Sequence, residues 1–267
     1  MTVDLGLLLS FAVAIAVFAV LAWFFRYQLR LRAVSDTLME AEDALDRGEV
    51  VRARELTAPI LAKYPRLPIV QDVAADVLYA TGDPLSAASL YERAMKKLGG
   101  PRVAPKLVAA YAALNRAGDA RRVAAMAPND PMTRLALTWS ELAATGGDRE
   151  KGRALADEIA RDTTLRATAA GDAMACVLEA IAAARAGETG RARGLLDRAS
   201  ARRNALAAHD RAFVGYLAGI AMLEMGARAD ARETWTMAMD AAPETIGAAL
   251  ARRERSHLPQ EPADPRP

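Results

Sequence analysis

Only one cysteine, Cys176, occurs in the 267 residues of this chain. That excludes an intramolecular disulfide and any metal site built on cysteines. Cys176 stands in an apolar run from Ala173 to Leu178, where a thiol serves as a small buried hydrophobe. Histidine is nearly as scarce: His209 and His257 are the two present, and neither lies in a metal-ligand spacing. Aromatic residues make up 5% of the chain and runs of alternating Val, Ile and Thr are missing, so a sheet has little to build on. Charge of one sign is not in excess either. Lys and Arg total 35 against 33 Asp and Glu, a formal net charge of +2, which argues against nucleic acid as a partner. A GxSxG elbow, a phosphate-binding glycine-rich loop and a dinucleotide fingerprint are all lacking. Carboxylate pairs such as Asp43 and Asp46 fall on faces expected to be exposed, without the burial that tunes an acid–base pair. The chain is not expected to be an enzyme, and no metal or cofactor is expected.

What is present favours helix. Hydrophobic residues make up 52% of the chain, Ala is heavily used, and Leu, Arg and Glu accompany it. The fold class expected is all-α.

Residues Leu5 to Phe25 contain neither a charge nor a proline. As a helix this run is about 30 Å long, which matches the hydrocarbon core of a bilayer. A cleavable signal peptide would need a basic leader, a shorter apolar stretch and a small-x-small cleavage site. Here no Lys or Arg lies in the tail at 1–4, and the run ends on Trp23, Phe24 and Phe25, in the manner of an interfacial aromatic belt. A retained transmembrane helix over 5–25 is therefore expected, followed by a basic connector at 26–33. Arg26, Arg30 and Arg32 in that connector place the remainder of the chain in the cytoplasm by the positive-inside rule, with the N-terminus outside. The opposite, periplasm-facing orientation is the competing topology. Gly6, Ser10 and Ala14 recur every four residues along the run, a spacing that would let two anchors pair as a homodimer.

Beyond the connector the sequence repeats. Gly48 is followed by Ala53 and Leu56, and the stretch ends at Tyr64 and Pro65. Gly82, 34 residues after Gly48, is followed by Ala87, Leu90, Tyr91 and Ala94. Near the far end Gly226, Ala231, Ala238 and Pro243 keep the same internal distances. A period in the mid-thirties marks stacked helix pairs. Further landmark glycines at 118, 147 and 187 divide the chain into about six pairs over residues 34–253, each glycine ending one helix where φ > 0 is needed. Asp83, Asp119 and Asp148 are suited to cap the second helices. Pro128 and Pro131 interrupt the array within 127–131. Residues 254–267, with Pro259, Pro262, Pro265 and Pro267, read as a disordered tail.

These residues give the chain a resemblance to the tetratricopeptide repeat (TPR) family. Its helix-pair unit carries small residues at fixed positions and a closing proline. Gly219, Ala231, Ala238 and Pro243 fill those places in the last unit; Ala41, Ala53 and Pro65 do so in the first. Ala75, Ala87 and Ala94 do so in the second, and Ala180, Ala192 and Ala199 in the fifth. What the resemblance implies is an α-solenoid whose first helices line a concave, protein-binding groove. Carried over, the groove positions are Leu38, Glu42, Leu45 and Asp46 in unit one, and Ile69, Asp72, Asp76 and Tyr79 in unit two. Met174, Val177, Ile181 and Arg185 follow in unit five, and Phe213, Tyr216, Ile220 and Leu223 in unit six.

Such a groove would be acidic near the membrane and apolar towards the C-terminus, fit for a peptide or helix segment of a partner protein. An alternative has the acids simply solvated and the apolar residues buried against the next repeat. The resulting expectation is a single-pass scaffold or adaptor of a bacterial inner membrane, acting in assembly or regulation of an envelope complex. Two others stand beside it: a periplasm-facing anchored protein assisting secretion or folding, and a small-ligand-binding regulatory subunit of an enzyme.

Overall fold

A computed structural model describes residues 5–144 and 146–258, with backbone alone for 5–17, 19, 22, 23, 27 and 29–31. Every regular element among the described residues is helical. The first, α1 (Leu5–Asp46), forms a hairpin with α2 (Val50–Lys63). Five more hairpins follow: α3 (Pro68–Ala80) with α4 (Pro84–Leu98), α5 (Gly100–Ala113) with α6 (Ala117–Ala124), α7 (Pro131–Ala143) with α8 (Arg149–Ala160), α10 (Ala169–Arg185) with α11 (Thr189–Ala201), and α12 (Ala208–Glu224) with α13 (Arg228–Ala241). A single-turn α9 (Thr163–Arg166) stands between the fourth and fifth hairpins, and α14 (Ile246–His257) closes the chain. The first helices stack in order, α1 on α3, α3 on α5, α5 on α7, α7 on α10 and α10 on α12. That is the layering of an α-solenoid.

The small residues do what close helix crossings require. Ala41, Ala53, Ala75, Ala87, Ala94, Ala180, Ala192 and Ala231 have no exposed surface, and Ala199 and Ala238 are buried. Gly219 faces the Trp235 ring so closely that no side chain would fit, and Trp235 donates from Nε1 to the Tyr216 carbonyl at 2.9 Å.

Turn chemistry follows the expectation in part. Gly48, Gly82, Gly187 and Gly226 all adopt φ between 78° and 82° after the first helix of their hairpins. Gly118 does not: it lies inside α6, and Asn115 (φ 58°) makes the turn in its place. Gly146 (φ 79°), not Gly147, takes the left-handed position before α8. With these residues as landmarks the intervals on either side of Asn115 are 33 and 31 residues in place of 36 and 29, and the long interval into the fifth unit contains α9. Asp83 and Asp148 cap α4 and α8 through backbone amides. Asp119 is no cap. It sits in the first turn of α6 and pairs with Arg116 and Arg122, both at 2.6 Å.

The expected break at 127–131 is a loop only. Asp130 accepts from the Thr133 amide and hydroxyl at 2.7 Å, Pro131 opens α7, and α7 continues the stack on α5. The expected connector at 26–33 is likewise absent as a separate segment, because α1 runs unbroken through it. The C-terminal helix extends through His257, past the expected boundary at residue 254. The rest of the expected tail, 259–267, and the N-terminal tail at 1–4 lie outside the described residues.

Among the described residues, no helix is long and apolar enough to cross a membrane. The span expected at 5–25, with the small residues expected to pair two anchors, falls mainly on positions where only the backbone is described. The described side chains within it, Phe18, Val20, Leu21, Phe24 and Phe25, are exposed on α1.

Candidate functional site

The first helices of units two to six, together with the start of α14, converge on one cavity of about 440 Å³. Convergence arises because the array curls back on itself. Ala208 at the start of α12 lies against the first inter-helix turn: a methyl group on Gly48 would stand 3.6 Å from its Cβ. Ala249 on α14 meets the second turn in the same way, 3.4 Å from a methyl group on Gly82. Arg253 of α14 donates to the Ala113 carbonyl at the end of α5, at 3.1 Å. Gly247 allows this docking, since a Cβ there would be 2.5 Å from the Phe213 backbone nitrogen.

Most of the cavity wall is apolar. Leu135 and Trp139 come from α7, Met174 and Leu178 from α10, Phe213 and Leu217 from α12, and Ile246 from α14. Trp139 holds Phe213 edge-on, with ring centroids 4.9 Å apart and planes at 88°, and Tyr216 lies 6.4 Å from the same indole.

Polar groups in the wall come from α3, α4, α5 and α12. On α3, Asp76 accepts from the Tyr91 hydroxyl and from Lys106 Nζ, both at 2.6 Å. Lys106 also reaches the fully buried Asp72 at 3.1 Å, and Arg102 meets Asp72 at 3.0 Å. Burial pushes the Asp76 carboxyl up to about 6, although Lys106 opposes it. Burial pulls the Lys106 ammonium down, but Asp76 and Asp72 outweigh it and hold the pKa above the ordinary lysine value. At the start of α12 stand His209 and Asp210, with His209 Nε2 3.4 Å from Asp210 Oδ1. His209 Nδ1 is buried without a hydrogen-bond partner among the described residues. Burial raises the Asp210 carboxyl, His209 opposes the rise, and the charge of Asp46 on α1 adds to it. Tyr79 is pushed far above the usual phenol range by burial.

The expected groove positions divide into three sets. Asp76, Tyr79, Met174 and Phe213 do line the cavity. Leu38, Asp72, Val177, Ile181, Tyr216 and Ile220 are buried between neighbouring helices and offer no surface to a partner; Leu38, for one, packs on Val70 and Val73 of α3. At the edges, Asp46 is exposed, Glu42, Leu45 and Ile69 are half-buried, and Leu223 is half-buried on α12. Arg185 joins Glu224 at 2.6 Å and also donates to the Leu142 carbonyl, tying α10 to α12 and α7. For Leu38, Val177, Ile181, Tyr216 and Ile220, burial against neighbouring helices is what the structure supplies.

Lys106, Trp139, His209 and Asp210 are cavity residues that no spacing in the sequence marks out. They meet only because the array closes, and α14, which closes it, is short and rich in arginine.

No protein-family model matches this chain, and no curated protein aligns with it significantly. The helical-repeat architecture rests on the structure.

Proposed function

We propose that the chain is a membrane-tethered helical-repeat adaptor of the TPR kind, holding its array beside a bilayer to contact a partner protein. The observation that carries this reading is α1 itself. One helix joins the charge-free run Leu5 to Phe25 to the first repeat, and Phe18, Val20, Leu21, Phe24 and Phe25 lie uncovered on it. Five exposed large apolar side chains on one helix need a cover, and lipid is the cover that a run of this length fits. Without a flexible connector, the array's position relative to the bilayer would be fixed by helix geometry. Arg26, Arg30 and Arg32 favour a cytoplasmic array, and a bacterial inner membrane is the setting proposed.

Fractionation tests the tether. The full chain should stay in the membrane pellet through carbonate extraction, and a chain carrying Val20→Arg and Phe24→Arg should be released. Recovery of the wild-type chain in the supernatant would end the reading. An alkaline phosphatase fusion at the C-terminus should be inactive, and high activity would reverse the orientation in favour of the periplasm-facing alternative.

The cavity favours a second reading, a small-ligand-binding regulatory module. Its volume of about 440 Å³ lies within the roughly 300–1,000 Å³ of ligand pockets, and it combines an apolar wall with a few polar groups. On this reading the ligand would set how firmly the last hairpin and α14 close on units one to three.

A further inference from the structure

Resting on the small-ligand reading, we infer that the cavity takes a compact apolar molecule bearing one basic nitrogen, with the nitrogen held at Asp210. Three observations decide the chemistry. The first is the wall, where Trp139, Phe213 and Leu135 present apolar and aromatic surface suited to a flat or branched hydrocarbon body. The second is the distribution of charge. Two carboxylates line the cavity, Asp76 and Asp210, against one lysine, Lys106. Lys106 is already engaged by Asp76 at 2.6 Å and by Asp72 at 3.1 Å, so its charge is spent within the protein. Among the described residues Asp210 has no lysine or arginine partner: the group beside it is His209, at 3.4 Å, and the charge of another carboxylate, Asp46, also acts on it. The third is His209, whose Nδ1 is buried in the same wall with no hydrogen-bond partner among the described residues. A ligand ammonium would meet a carboxylate at Asp210 and the faces of nearby aromatic rings, both of which favour positive charge, beside the unpartnered Nδ1 of His209. An anionic headgroup would meet two carboxylates and a lysine with nothing left to give.

The test uses the full chain in lipid nanodiscs, with empty nanodiscs as the partition blank, titrated at neutral pH by calorimetry. Three probes of matched shape are compared: 2-naphthylmethylamine, 2-naphthylmethanol and 2-naphthoate. The amine should bind saturably at one site, about tenfold tighter than the alcohol, and the carboxylate should not bind. Asp210→Asn should weaken the amine about tenfold and leave the alcohol unchanged. Ala109→Phe fills the cavity and should abolish both. Met132→Trp, which intrudes from the exposed rim, should do the same if Ala109→Phe fails to fold. Equal affinity for amine and alcohol, an unaltered amine affinity in Asp210→Asn, or preferred binding of the carboxylate would each overturn the cationic assignment and leave a small-ligand site standing. No saturable binding by any of the three would overturn the assignment and the small-ligand reading together.

Discussion

The guanidinium of Arg253 donates to the carbonyl oxygen of Ala113 across 140 positions of sequence. Ala113 is the last residue of α5, and its carbonyl is one of those that a helix leaves without an internal partner. A cation there satisfies the orphan acceptor and opposes the negative end of the α5 dipole. Because Arg253 is about a third exposed, Arg253→Ala should lower stability by only about 1 kcal/mol. Urea denaturation of the pair would check it, with Arg253→Lys falling between the two.

Gly247 is the more demanding position. A side chain at 247 must displace either α14 or the α12 backbone at Phe213, so Gly247→Leu should cost about 3 kcal/mol or undock α14 outright. Limited proteolysis separates the outcomes. Early cleavage near residue 245 with the remainder intact would mean undocking, and loss of the whole array would mean global destabilisation. A variant as stable and as resistant as wild type would show that α14 does not close the array.

Gly219 gives a local test of the last hairpin. With the Trp235 indole against its α-carbon, Gly219→Ala should destabilise by about 2 kcal/mol, whereas Gly190→Ala, at an open helical site, should be neutral or mildly stabilising. Thermal melts of the two variants would show whether close approach, and not helix propensity, sets the residue at 219.

Asp76 and Asp172 should move stability in opposite directions on acidification. The Asp76 carboxyl rises from 3.8 to about 6 in the folded chain, so its contribution is fully present below pH 4 and is lost as pH rises through 6. Relative to Asp76→Asn, the wild type should gain about 2 kcal/mol between pH 7 and pH 4.

Asp172 is held by Arg166 at 2.6 Å, Arg198 at 2.9 Å and Arg202 at 3.1 Å, linking α9, α10 and α11. Burial works to raise its pKa, but the three guanidiniums outweigh burial and depress it. Its contribution is therefore present above the ordinary carboxylate range and is lost as pH falls through the depressed folded value. Asp172→Ala leaves three cations facing a buried gap and should cost about 3 kcal/mol at neutral pH. A loss below 1 kcal/mol in denaturant would show that the knot is dispensable.

Short-range regularities explain what was legible in the sequence. Helix pairs, small residues at their crossings and most of the turns depend on contacts within one unit, so Ala53, Ala87 and Ala231 announce themselves by spacing. The turns that deviate place the left-handed residue slightly earlier in the chain, at Asn115 where Gly118 was expected and at Gly146 where Gly147 was. The site was less legible because it depends on curvature summed over units. Tyr216 and Val177 occupy positions that would face a groove in an open array, and here they are enclosed. His209 and Asp210 gain meaning only where α12 nears the turn at Gly48 and faces α3 across the cavity, a juxtaposition that no local pattern encodes.

Closure also changes how this array must come apart. An open solenoid unfolds as a one-dimensional chain of neighbours, and units can melt from either end or be added without limit. Here the last helix is fastened to the second and third turns, so fraying from the C-terminus removes support from the N-terminal half at once. The array should therefore melt in one cooperative transition, and duplicating an internal unit should disrupt it where the same insertion would merely lengthen an open solenoid.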